Sequence, residues 1–189
     1  MNQELLQMEK KPNMLAFQVA IIYAFYSVII IAVQRAMGVS MEPTKGQQVL
    51  WGVLAYIPFI LAIVFVQQKH KKELGGFITY GRAFSAGFRT GFYTGLMIAV
   101  FMFVYYTFFD QNALQEATDF AISKAETDQQ AQQIAGMGKY MIYFTIFGAA
   151  IWHTVVGLII ALIGAAVVKK ERPLYFEETE TTVTTDSLE

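Results

Sequence analysis

Four long stretches of this chain contain no charged side chain: residues 14–33, 49–66, 90–109 and 140–168. An apolar α-helix of about 20 residues crosses the hydrocarbon core of a bilayer, because each residue adds about 1.5 Å to its length. Such stretches are too long and too unbroken for the buried helices of a soluble domain this small. The sequence therefore predicts an all-α integral membrane protein in which four helices form a bundle.

The composition supports one membrane domain and a short tail. Of the 189 residues, 55% are hydrophobic and only 15% are charged, and there is no cysteine. The predicted spans cover residues 14–33, 49–66, 87–109 and 140–168. They leave no room for a soluble domain of ordinary size, so we assign residues 1–172 to one transmembrane domain. Residues 173–189 are rich in Glu and Thr, which predicts a disordered cytoplasmic tail.

The Lys and Arg residues divide unequally between the two sides of the predicted bundle. Ten share a side with both termini: Lys10, Lys11, Lys69, Lys71, Lys72, Arg82, Arg89, Lys169, Lys170 and Arg172. Four lie on the other side: Arg35, Lys45, Lys124 and Lys139. Cytoplasmic loops carry the excess of basic residues, so the count predicts cytoplasmic termini and an outward-facing 110–139 loop. Within the larger group we expect Lys69, Lys71 and Lys72 to contact anionic lipid, with His70 as part of the same basic patch.

Two connecting segments are predicted to be helical. Ahead of the third span, Phe77, Phe84, Phe88 and Phe92 fall near one helical face. We expect the first turns of this helix either to protrude into the cytoplasm or to lie in the membrane interface with a kink near Gly87. The 110–139 loop has a weak apolar face that favours a helix, broken near residues 136–138.

The segment at residues 75–89 also carries a family resemblance. Its Gly-Gly-aromatic start is followed by an apolar-polar-aromatic-Gly stretch, then by basic-Ala-Phe and by Gly-Phe entering a span. With the spacing of the four spans, this resembles a bacterial family of small four-span membrane proteins labelled as a domain of unknown function, number 4199. The resemblance covers residues 10–170 and implies a bacterial inner-membrane location; it transfers no catalytic residue. One departure is Asp110-Gln111, where the family pattern leads us to expect Asp-Pro.

Small residues at four-residue spacing predict where the helices pack closely. Without a hydrophobic driving force between helices in lipid, close approach of backbones is favoured by Gly and Ala at positions i and i+4. The residues predicted to form such contacts are Gly87, Gly91, Gly95, Gly157 and Ala161. The same stripes would also suit a homodimer face, and we expect Ile98 to face lipid. Pro58 is predicted to kink the second span.

Few side chains could carry chemistry inside the membrane. His153 is the only ionisable residue well inside a span, and Arg89 lies near the end of another. Either His153 is a neutral structural group bonded to a carbonyl or to Tyr23, Tyr26 or Tyr56, or it titrates on a proton path. For Arg89, we expect its guanidinium to extend to the lipid headgroups.

These features favour a non-enzymatic protein. The sequence has no phosphate-binding loop, no zinc-protease motif and no carboxylate within a span, so we predict no catalytic residue, no cofactor and no metal site. The expected partners are the lipid bilayer and a second membrane protein or another copy of the chain, and nucleic acid is not expected. The alternative is a small oligomeric transporter or channel with a polar path through His153 and Arg89.

Overall fold

The structure is a computed structural model that describes residues 12–39 and 42–171. Lys10, Lys11, Arg172 and the tail at 173–189 lie outside the described residues. Within the described residues, six α-helices follow one another: α1 Asn13–Ala36, α2 Lys45–Glu73, α3 Tyr80–Val104, α4 Ala113–Ser123, α5 Asp128–Met137 and α6 Met141–Val168. One π-helical turn, Tyr105–Phe109, extends α3, and a 3₁₀ turn, Gly138–Tyr140, precedes α6.

In the part of the chain that the structure describes, four helical segments are long and apolar enough to cross a membrane. They are α1, α2, α3 with its π-helical turn, and the segment Asp128–Val168 that ends with α6. This confirms the predicted all-α bundle of four long helices. The 110–139 loop is helical as predicted, but it forms two short helices, α4 and α5, and residues 124–127 connect them.

The bundle has two ends of opposite charge character. The basic end carries seven Lys or Arg residues and two acidic residues among the described positions: Lys69, Lys71, Lys72, Arg82, Arg89, Lys169, Lys170, Glu73 and Glu171. The acidic end carries four basic and six acidic residues: Arg35, Lys45, Lys124, Lys139, Glu42, Asp110, Glu116, Asp119, Glu126 and Asp128. Both ends of the region 12–171 lie at the basic end, since the chain crosses the bundle four times.

Helix α3 occupies the centre of the bundle. It packs most extensively against α6 and next against α1. The α1 face that meets it consists of Ala16, Ala20 and Ala24, each fully buried. Because α3 is covered on two sides, Ile98 is only 2% exposed, and the prediction that it faces lipid is wrong.

The residues ahead of the third span belong to α3 itself. The helix begins at Tyr80 and runs without a break through Gly87. Ala83 and Ala86 are fully buried in its first two turns, so this segment is packed protein and not a separate interfacial helix. The connection from α2 reverses at Gly75 and Gly76, whose φ angles of 81° and 88° are strained for other residues.

Helix α2 passes through Pro58 without ending. Proline has no N–H, so the carbonyl of Leu54, four residues earlier, loses its usual helical donor. The hydroxyl of Tyr26 on α1 donates to that Leu54 oxygen at 2.7 Å. The neighbouring Tyr23 hydroxyl donates to the Ala55 carbonyl at 2.9 Å. The proline thus opens an acceptor that α1 uses to bind α2.

Candidate functional site

His153 lies half-buried on α6, where α1 and α2 meet that helix. Its Nδ1 is 2.8 Å from the carbonyl oxygen of Ala149. A carbonyl only accepts, so Nδ1 carries the hydrogen and, in the neutral ring, Nε2 is the acceptor. The ring stands edge-on to Phe59 at 5.7 Å and 6.4 Å from the ring of Tyr23.

The hydrogen-bond partner of His153 is therefore a carbonyl of its own helix. The tyrosines considered from the sequence are engaged elsewhere, since Tyr56 accepts from Trp152 Nε1 at 2.7 Å. In a regular helix the Ala149 carbonyl also accepts the backbone N–H of residue 153. If the imidazole were removed, the Ala149 carbonyl would therefore still accept that backbone N–H.

Arg89 binds a different part of the bundle. Its Nη1 donates to Oδ1 of Asn13 at 2.5 Å, which joins the start of α1 to α3. Gly95, which contacts Thr154 beside His153, is about 9 Å further along α3 than Arg89. The structure does not bring Arg89 and His153 together.

Glycines place the backbones of α3 and α6 in direct contact. A Cβ added to Gly91 would be 2.9 Å from the Cα of Gly157, and one added to Gly95 would be 2.6 Å from the carbonyl oxygen of Ala150. A Cβ at Gly87 would meet the methyl of Ala161 at 2.8 Å. Such distances leave no room for a side chain, so the two helices pack through their main chains at these levels.

Gln67 is a buried polar residue that the sequence reasoning missed. Its side chain is fully buried, and Nε2 donates to the carbonyls of Ala83 at 3.1 Å and Ala161 at 2.9 Å. It fits because Gly87 and Gly164 lack side chains: an added Cβ would lie 2.5 Å from Nε2 or 2.2 Å from Oε1, respectively. The signal was present, because Gln67 directly follows an uncharged run and lies level with small residues of two other helices.

Two of the interior hydroxyls are held locally. Thr90 donates to Ala86 at 3.0 Å and Thr154 donates to Ala150 at 2.8 Å, each a carbonyl one turn back. Within residues 12–39 and 42–171, no group of three or more His, Asp or Glu side chains is placed to hold a metal ion. The hydroxyl of Thr94 is also fully buried, and it has no hydrogen-bond partner among the described residues. The interior polar groups that are bonded join helices to one another or to their own backbones.

At the basic end the three predicted lipid-contacting lysines divide into two kinds. Lys69 and Lys72 are exposed, whereas Lys71 Nζ donates to the carbonyl of Val168 at 2.8 Å and stabilises the end of α6. His70 is only 2% exposed, so its assignment to the basic patch is wrong. It lies one turn from Val66 on the face of α2 that turns into the bundle.

At the acidic end, one arginine joins α1 to the segment that follows α3. Arg35 Nε is 2.9 Å from Asp110, and its two terminal nitrogens lie 2.5 and 2.6 Å from the carboxylate oxygens of Glu116. Asp110 also accepts the backbone N–H of Ala113 at 3.2 Å, at the start of α4. The hydrogen bonds from Arg35 lower the pKa of Glu116. We call this group the Arg35 clamp.

Comparison with known proteins identifies the family. No curated protein and no solved structure matches the chain. One family model matches residues 18–170, a region that contains nearly all of the four long helices and both charged ends. The chain therefore belongs to the family described as Protein of unknown function (DUF4199).

Proposed function

We propose that this protein is a non-enzymatic, multi-pass protein of the bacterial inner membrane that acts as an interaction or accessory partner. The observation that carries the proposal is the main-chain contact between α3 and α6 at Gly91 and Gly157. Two helices this close leave no passage between them for a solute. The side chains that could do chemistry, such as His153 and Gln67, bond to backbone carbonyls.

The orientation we propose places the basic end in the cytoplasm. Its support is the excess of Lys and Arg at that end, which is the usual sign of the cytoplasmic side. The short helices α4 and α5 then lie outside.

The test uses the full chain reconstituted in vesicles that contain a pH-sensitive dye. We expect a proton flux equal to that of protein-free vesicles, together with a specific crosslink in native membranes to one membrane protein or to a second copy. A flux that exceeds the protein-free control, and that is lost in both His153→Gln and His153→Leu, would replace this proposal with a transport function. Thr154→Val, one residue away, is the matched control because it does not titrate.

A further inference from the structure

One exposed stripe of α2 changes from apolar to cationic as it approaches the basic end. Leu61 is 61% exposed and Phe65 is 51% exposed, and the next turns carry the exposed side chains of Lys69 and Lys72. These positions are three or four residues apart, so they share a helical face. A shallow groove of about 430 Å³ follows this face, lined by Phe65, Gln68, Lys69, Lys72 and Glu73.

The depth of the charged groups matches the layers of a bilayer. Lys69 lies about 6 Å further along the helix than Phe65. The headgroup region on each side of a bilayer is roughly 5–7 Å thick. Lys69 also folds back over the aromatic ring, with Nζ 5.8 Å from the centroid of Phe65. When Phe65 touches the hydrocarbon, the Lys69 ammonium therefore stands at the boundary between hydrocarbon and headgroups, and Lys72, about 4.5 Å further along the helix, stands among the headgroups.

Lys69 and Lys72 face the groove, whereas the charged side chains beside them are directed to the bundle. Lys71 is used inside the protein, where it bonds to Val168. Glu73 is the one carboxylate in the groove lining, and its Oε2 is 3.9 Å from Nδ1 of the buried His70. Its negative charge is thus directed to the bundle side of the groove, while Lys69 and Lys72 present positive charge on the other.

We propose that this groove binds an anionic phospholipid. Lys69 and Lys72 bind the phosphate, and one acyl chain packs along Phe65 and Leu61. Two features favour a lipid as the ligand: the positive charge of the lysines complements a phosphate, and the apolar stripe of Leu61 and Phe65 continues from them along the helix. This inference is independent of the proposed accessory function, because a transporter would hold the same lipid.

The test measures lipid retention by the full chain in mild detergent, using native mass spectrometry with phosphatidylglycerol and phosphatidylcholine at equal concentration. We expect the unaltered protein to retain phosphatidylglycerol preferentially. Lys69→Gln and Lys72→Gln should each reduce that preference several-fold, roughly fivefold for one basic side chain near a membrane surface. Lys169→Gln is the matched control, since it removes an exposed charge at the same end outside the groove.

Two results would overturn the proposal. An equal loss in Lys169→Gln would show a diffuse charge effect without a site. Equal competition by glycerol phosphate and by short-chain phosphatidylglycerol would show that the acyl chain is not bound. In the expected case glycerol phosphate competes poorly, and Phe65→Ala weakens retention while all basic residues remain.

Discussion

At the scale of single residues, a few interior polar side chains act as bonds between helices. Gln67 bonds to α3 and α6, and Tyr26 bonds to α2. In lipid such bonds are worth about 0.6–2 kcal/mol each. Single polar residues of this kind can determine which apolar surfaces meet.

The Tyr26 bond should depend on Pro58. Tyr26→Phe leaves the Leu54 carbonyl without a donor and should cost about 1 kcal/mol of unfolding free energy. Pro58→Ala restores an N–H that can donate to Leu54, so the same Tyr26→Phe change should then cost much less. Thermal unfolding in detergent of the two single variants and the double variant gives the coupling.

Tyr23→Phe is the matched control for this cycle. Its acceptor, Ala55, also receives the helical N–H of Phe59, so its cost should be the same whether Pro58 is present or replaced in the Pro58→Ala variant. Equal costs of Tyr26→Phe in both backgrounds would contradict the role assigned to the proline.

Gln67 and Gly164 form a second coupled pair. Gly164→Ala places a methyl 2.2 Å from Gln67 Oε1, and overpacking of this kind typically costs about 1–3 kcal/mol. Gln67→Ala vacates the space, so Gly164→Ala should cost clearly less in that background. Urea unfolding of the unaltered protein, the two single variants and the double variant measures the difference. If the free-energy costs of the two single changes simply add in the double variant, the two residues do not share the space.

At the scale of the helices, their existence could be predicted, but their rotation could not be predicted from the large apolar residues. An uncharged run of about 20 residues requires a helix, because every backbone group must be bonded within the segment in lipid. Lipid and protein interior are both apolar, however, so hydrophobic periodicity does not tell which face is buried. Ile98 illustrates the error, since an isoleucine suits either side.

The small residues carry the rotational information that large apolar residues lack. Gly91→Leu should destabilise the bundle by about 1–3 kcal/mol, because the backbone of Gly157 cannot move away as a side chain could. Val100→Leu, at a position 52% exposed on the same helix, should be nearly silent and replaces Ile98 as the control. Equal detergent stability of the two variants would contradict the assigned α3–α6 contact.

At the scale of the whole molecule, the Arg35 clamp connects segments that are far apart in sequence. Arg35 and Glu116 are 81 positions apart, and nothing in either neighbourhood signals the pairing. Contacts of this kind depend on the packing of all four helices, which explains why the sequence predicted a helical loop but not its attachment.

The clamp should weaken in acid. The lowered pKa of Glu116 means that its contribution is fully present above the ordinary glutamate range and is lost as the pH falls through the folded pKa. Protonation would then free α4, and amide hydrogen exchange in α4 should accelerate at acidic pH after correction for the intrinsic rate. Arg35→Gln should give fast exchange at all pH values, whereas Asp119→Asn, an exposed acid on the same helix, should keep the pH dependence.

The proposed orientation of the bundle is supported by the distribution of its basic residues. The described part has seven Lys or Arg side chains at the basic end and four at the acidic end, and the sequence adds Lys10, Lys11 and Arg172 to the former. The chain has no cysteine, so Ser123→Cys and Lys169→Cys introduce single exposed thiols at opposite ends. In intact spheroplasts an impermeant maleimide should label residue 123 and should reach residue 169 only after lysis.

His70 would be a poor position for this test, because its burial would block the reagent on either side of the membrane. Labelling of residue 169 before lysis, with residue 123 protected, would invert the bundle and would place the lysine groove on the outer surface.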